Sequence, residues 1–251
     1  MQKIENRFSL MGGLFLIAGL TLSNAIAETD LSSQLTNSKT FVYTVKINGI
    51  GAGKVHTQIT QDEQNFHIES VTKPNRLAGM LLGGNVVDRC AFSFNTQEHV
   101  VGNHYSSTKK GKSSYGGQIL YNWDQQQLEF SQITVNEPKK TPMPTGFLLD
   151  NCNFYAAMAL ADIDYLKQRE IIVLDAKEQR FRGYRFESLQ HEVLDTRFGR
   201  LDTRKLTLVR SNNSNRHLIF WLSDQYWLAP VMIVDQRKRR KVVAKLRSVI
   251  N

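Results

Sequence analysis

The chemistry open to this chain starts with its six histidines, two cysteines and two runs of basic side chains. Histidine is the usual acid–base group and metal ligand near neutrality, so His56, His67, His99, His104, His191 and His217 come first. A hairpin centred on residues 63–64 sets position 56 opposite about 71 and position 67 opposite about 60, so His56 and His67 do not meet. His99 and His104, five apart across Gly102, need a bent loop to share an ion. His191-Glu192-Val193-Leu194-Asp195 approaches the zinc-protease pattern but carries Asp195 in place of its second histidine. That pattern works only on a helix, and the surrounding FRGYRFESLQHEVLDTRF alternates as a strand does. Neither a G-x-S-x-G elbow nor a glycine-rich phosphate loop occurs. The reading is of a non-enzymatic chain, with no catalytic set, metal site or cofactor indicated.

Where the chain resides decides how the remaining groups are read. Lys3 and Arg7 precede an apolar run from Leu10 to Leu22, and Ala25 and Ala27 supply small residues before a break. The run is shorter than the roughly 20 residues that a permanent span requires. Residues 1–27 therefore read as a cleaved signal peptide, which places the mature protein in an extracytoplasmic space such as a bacterial periplasm. Export exposes thiols to oxidants, so Cys90 and Cys152 are either a disulfide or two buried free thiols. The formal charge of +9 favours anionic partners. Lys109, Lys110 and Lys112 mark a hairpin tip, and Arg237, Lys238, Arg239, Arg240 and Lys241 a turn between the last two strands. Export argues against nucleic acid and for lipid headgroups or anionic envelope glycolipids, with peripheral membrane contact. The plainer reading is a solvated turn whose charges keep a sheet edge from aggregating.

The elements that must position these groups are mostly strands. After a polar lead-in at 28–39, a single β-rich domain is expected over 40–251. FVYTVKI from Phe41 leads into the Asn48-Gly49 turn signal. Further runs at 51–60, 66–71, 86–95, 100–108, 113–122 and 127–135 continue the ladder, and after the centre come 169–176, 180–195, 200–211, 216–223, 229–235 and 241–250. Short polar turns separate them, as in an antiparallel meander. Two segments look helical: RLAGMLL, about 76–82, and a mostly buried helix at about 150–162 with Asp150 as N-cap after the Pro138–Gly146 approach. So many strands in one sheet must curl or close. The expected fold is mainly β: a strongly curved antiparallel sheet or incomplete barrel, with the central helix against its concave face.

Several pieces in order resemble the exported bacterial proteins grouped as domain-of-unknown-function family 3108. They are Asn48 to Gly53 after the first strand, Asp150 to Met158, Thr196 to Thr203, and Trp221-Leu222-Ser223-Asp224 followed by Pro230-Val231. Cys152 departs from the small or apolar residue expected at the helix start, which leaves the disulfide question open. The resemblance implies an exported, β-rich, single-domain protein and no activity or catalytic residues.

Two functions follow as expectations. In one, the curved sheet encloses an apolar or amphipathic envelope ligand such as a lipid. Leu77, Met80, Leu81 and Leu82 would then form a mobile lid, or else a plug completing the core, with Phe154 and Met158 lining the cavity and the basic tips meeting anionic headgroups. In the other, the protein is a structural or adaptor component of the cell envelope without a cavity, docking through aromatic residues around Trp221, Tyr226 and Trp227. The sequence leaves the oligomeric state open.

Overall fold

Strands form here where β-branched and aromatic residues alternate with polar ones, a pattern that suits a pleated surface with one face covered. A computed structural model describes residues 38–62, 65–82, 84–94, 100–110, 114–132, 135–160, 163–226 and 229–250. The signal peptide assigned to 1–27 and most of the lead-in lie outside the described residues. Ser38 is already engaged, its hydroxyl accepting from Gln58 at 2.8 Å. The first strand begins at Lys39, one residue before the expected domain start.

The elements in chain order are β1 (Lys39–Ile47), β2 (Ile50–Asp62), β3 (Asn65–Pro74), α1 (Arg76–Leu82), β4 (Asn85–Phe94) and β5 (Val100–Lys110). Then come β6 (Tyr115–Asn122), β7 (Gln127–Gln132), β8 (Val135–Pro142), β9 (Phe147–Asp150), α2 (Phe154–Leu160) and α3 (Ile163–Gln168). The last six are β10 (Ile171–Asp175), β11 (Arg180–Thr196), β12 (Gly199–Arg210), β13 (Asn213–Leu222), β14 (Met232–Arg237) and β15 (Arg240–Ile250). Among the described residues all the strands join one 15-stranded sheet, ordered β8-β7-β6-β5-β4-β3-β2-β1-β15-β14-β13-β12-β11-β10-β9. Neighbours are antiparallel throughout, except that β9 pairs parallel with β10.

This order forces the curvature. The two edge strands, β8 and β9, follow each other in the chain and are joined only by residues 143–146. Fully extended, that link reaches at most about 18 Å. In a flat sheet with the usual strand spacing the two edges would lie about 65 Å apart. The sheet must therefore wrap round on itself, as an incomplete barrel. Side chains complete the approach: Phe130 of β7 meets Phe181 of β11 edge to face at 6.2 Å, and Gln132 donates to the Lys177 carbonyl at 2.8 Å.

The edges are protected in opposite ways. β8 is exposed at Pro138, Lys139 and Lys140, and proline and lysine blunt a strand edge against further pairing. β9 and β10 are instead buried at every residue, and both read as near-continuous apolar runs, as strands covered on two faces do. They form the inner end of the wrap.

Two turn features set the register at the sheet's middle. Asn48 and Gly49 both have positive φ, the requirement of a type I′ hairpin turn. A bulge shifts the β1–β2 register between Val45 and Lys46, and a Cβ at Gly53 would lie 2.3 Å from the Lys73 carbonyl oxygen. Only glycine fits there.

The expected helix at 150–162 is corrected. Residues 147–150 are strand β9, and two short helices follow in its place. Asp150 ends the strand rather than capping a helix: its Oδ1 accepts from the backbone N–H of Cys152 at 2.8 Å and of Asn153 at 2.9 Å. Asn153 is the cap, since its carbonyl accepts the first helical bond from Ala157 at 2.9 Å. The Pro138–Gly146 approach is likewise strand β8 for most of its length, because an edge strand tolerates proline.

Candidate functional site

The crossover from β8 to β10 is tied to the surrounding strands at two points and braced within itself by a third bond. A disulfide joins Cys90 of β4 to Cys152, with the Cα atoms 5.9 Å apart. The Tyr121 hydroxyl of β6 donates to Asp150 Oδ2 at 2.9 Å. The Asn153 side chain accepts from the Asp150 amide at 2.8 Å. Burial pushes the Asp150 carboxyl up to about 6; the nearby Asp88 charge adds to this, while the Asn153 and Cys152 amides and Tyr121 hydroxyl oppose it.

Between this segment and strands β1–β3 and β13–β15 lie two adjoining cavities, of about 310 Å³ and 340 Å³. They share Val55, Thr72, Asn151, Tyr155, Ile233 and Ala244, so they adjoin along these residues as two halves of one hollow. The first half is mainly apolar, walled by Phe41, Ile59, Ile68 and Pro230, with Asp88 as its charged group. Asp88 accepts from the Tyr105 hydroxyl at 2.9 Å, and burial raises its carboxyl above the ordinary range.

The second half is different in character. Phe154, Leu218 and Phe220 share it with Arg182, Arg216, Asp235 and Arg240. Arg216 grips Asp235 with two bonds, each of 3.1 Å. Burial raises the Asp235 carboxyl, but hydrogen bonds from Arg237 and Arg216 outweigh it, and the group lies below the ordinary carboxylate range. Arg182 pairs with Asp175 and with Glu178, and its Nε is buried without a partner. Tyr155 hangs between the halves: protein surrounds it, yet 37% of its surface is accessible because it faces the hollow. Its hydroxyl is pushed up to about 12, chiefly by burial and then by the charges of Asp88 and Asp235.

The expected lining is therefore only partly the real one. Phe154 does border the second half. Met158 is 1% exposed and packs in the core instead. Leu77 and Met80 point to solvent and are not among the described lining residues. A core plug at those two positions is thus corrected: α1 is itself the connection between β3 and β4, and it leaves Leu77 and Met80 in solvent. The side chains of Leu81 and Leu82 lie outside the described residues.

Of the basic residues, Lys109 and Lys110 end β5, and Lys112 lies outside the described residues. Arg237 pairs with Asp235 at 2.9 Å. Lys238 and Arg239 form the exposed β14–β15 turn, Arg240 borders the cavity, and the Lys241 amide donates to Asn48 Oδ1 at 2.8 Å. The aromatic docking patch loses its centre: Trp221 is buried, and its indole N–H donates to Glu192 at 3.2 Å. Trp227 lies outside the described residues.

Among the described residues no histidine joins a cluster that could hold a metal ion. His56 faces Val71 and His67 faces Thr60 across the β2–β3 ladder, as the hairpin reading requires. His191 lies in β11 opposite Arg204, so its segment is strand and the zinc-helix pattern does not form. His99 lies outside the described residues. Cys90, Asp150 and Cys152 come within 4.8 Å of one another, but the two sulfurs are bonded together and neither is a thiolate ligand.

Sequence reasoning missed Tyr155, Arg182, Arg216 and Asp235. A signal existed for two of them. Arg216 is in phase with Leu218 and Phe220, and Asp235 with Ile233, so opposite charges sit at inward-facing positions of neighbouring strands.

A family model described as a protein of unknown function, DUF3108, matches residues 42–238. The chain belongs to the DUF3108 family. No curated protein sequence matches this DUF3108 chain. Among solved structures, it is similar to a crystal structure described as a beta-barrel-like protein of domain of unknown function DUF1849 from Brucella abortus. That match has a TM-score of 0.50 and 10% identity, covering 86% of this chain and 97% of the other. At that identity the likeness shows a shared barrel-like fold.

Proposed function

We propose that this DUF3108 protein is exported to a compartment such as the periplasm and there binds or carries an apolar or amphipathic envelope molecule, a lipid being the natural class. The observation that carries the reading is the divided interior. An apolar half beside a half holding Arg216–Asp235, Arg182 and Arg240 suits a molecule with a hydrocarbon part and a polar end. Volumes of about 310 Å³ and 340 Å³ favour a single acyl chain over a multiply acylated glycolipid. The disulfide and the signal-like residues 1–27 support an oxidising, extracytoplasmic address. The chemistry is binding, with Tyr155 and Asp88 serving as hydrogen-bonding groups inside the hollow.

The test is native mass spectrometry and organic extraction of the protein taken from its own envelope, followed by uptake of a fluorescent fatty acid by the emptied protein. A retained lipid-sized mass and saturable uptake, lost in Ala244→Trp, are expected, because Ala244 borders both halves. Bare protein that takes up no probe overturns the reading and leaves the envelope-adaptor role.

A further inference from the structure

We infer that one rim of the wrapped sheet docks on an anionic phospholipid bilayer, using exposed apolar residues set among lysines and arginines. The rim is built by hydrogen bonds between segments distant in sequence. The Asn48 amide donates to the Lys241 carbonyl at 2.8 Å, and its side chain accepts from the Lys241 amide at 2.8 Å. This fastens the β1–β2 turn to the basic β14–β15 turn. Next to it, the Asn75 side chain donates to the Gly51 carbonyl at 2.7 Å, and the Asn75 amide to the Ala52 carbonyl at 2.9 Å. That brings the start of α1 to the same place. Beyond α1, Asn85 and Val86 pair with Lys110 and Lys109, so the basic end of β5 continues the line.

Charge and exposure along this line fit a membrane surface. The stretches 42–61, 70–87, 100–122 and 236–251 contain lysine or arginine and no Asp or Glu. On the same rim stand the most exposed large apolar residues among those described: Ile50 at 71%, Met80 at 69% and Leu77 at 65%. Apolar side chains ringed by cations match the headgroup–acyl boundary of an anionic leaflet, where both contributions add. Basic charge alone would suit any polyanion; the three exposed apolar side chains favour the bilayer. Arg240, which borders the cavity, belongs to this rim, so docking would bring the hollow next to lipid. The opposite rim carries carboxylates, including Asp124 and the 96% exposed Asp224 side chain.

The test is cosedimentation with large vesicles of phosphatidylcholine alone and of phosphatidylcholine with phosphatidylglycerol, using the full chain. Binding to the anionic vesicles should exceed binding to the neutral ones and fall in high salt. Reversing Lys238, Arg239 and Lys241 to Glu together should weaken anionic-vesicle binding on the order of 100-fold or more, at about fivefold for each charge withdrawn. Leu77→Ser with Met80→Ser should weaken it less, and Arg197→Glu with Arg200→Glu, at the opposite rim, hardly at all. Equal binding to both vesicle types, or equal loss from the two charge reversals, overturns the inference. Circular dichroism of each variant separates lost docking from lost folding. The carrier reading is judged independently, since vesicle binding is read without any ligand inside.

Discussion

Two helices of equal length and similar apolar content have opposite fates in this molecule. α1, RLAGMLL, and α2, FYAAMAL, each span seven residues. Met80 of α1 is 69% exposed, whereas Met158 of α2 is 1% exposed. Nothing in the periodicity of either segment accounts for this. α1 connects β3 to β4, adjacent strands on one rim, and the connection has no need to enter the interior. α2 lies in the connection between β9 and β10, two strands buried at every residue, where protein surrounds it. Burial is assigned by where the connection runs, and the disulfide and the Asp150 turn fix that path.

The sharpest way to break this comparison is to cut the staple. Cys90→Ala with Cys152→Ala, whose bond spans a sequence separation of 62, should cost on the order of 4 kcal/mol in urea unfolding. A loss below about 1 kcal/mol would mean that packing alone holds the crossover inside. Next in size, Met158→Ala should lose roughly 3 to 4 kcal/mol, while Met80→Ala stays within about 0.5 kcal/mol. Equal losses would erase the distinction between the helices.

Asp150 gives a titration that sharpens it. Its folded-state value of about 6 lies above the ordinary 3.8, so between those values the native chain holds the proton that the unfolded chain has released. Stability should fall as pH rises from about 4 to about 6, by up to about 3 kcal/mol, and be flat above. Thermal melts of Asp150→Asn against wild type across that window should show this slope removed. An unchanged slope would assign the pH dependence to other groups. The smallest expected effect is at the exposed helix: Leu77→Ser with Met80→Ser should leave the melting temperature nearly unchanged while reducing vesicle binding. A large drop in melting temperature would show that α1 packs against the sheet in solution.

Much of the strand ladder could be read locally, and the places where reading failed share a cause. FVYTVKI, the Asn48-Gly49 turn and the His56–Val71 register follow from alternation and turn chemistry within a few residues. Strand β9 went unread and Asp150 was taken for a helix cap, because a four-residue apolar run has no period of its own. Pro138 and Pro142 read as loop, since their place at a sheet edge depends on the strands that neighbour β8. The site was less legible. Phe154 was accessible to helical patterning, but Arg182, Arg216 and Tyr155 acquire their role only when β11, β13 and α2 face one hollow.

The amino-acid order alone determined a mainly β chain with an Asn48-Gly49 turn and basic stretches free of carboxylates, because each depends on near neighbours or on composition. Tertiary structure decided which helix went inside, which edge was buried and which arginines met at the hollow. Those outcomes depend on four residues, 143–146, bridging the two ends of a 15-stranded sheet. Closing that short link requires the whole sheet to bend, and this is a constraint that no local pattern carries.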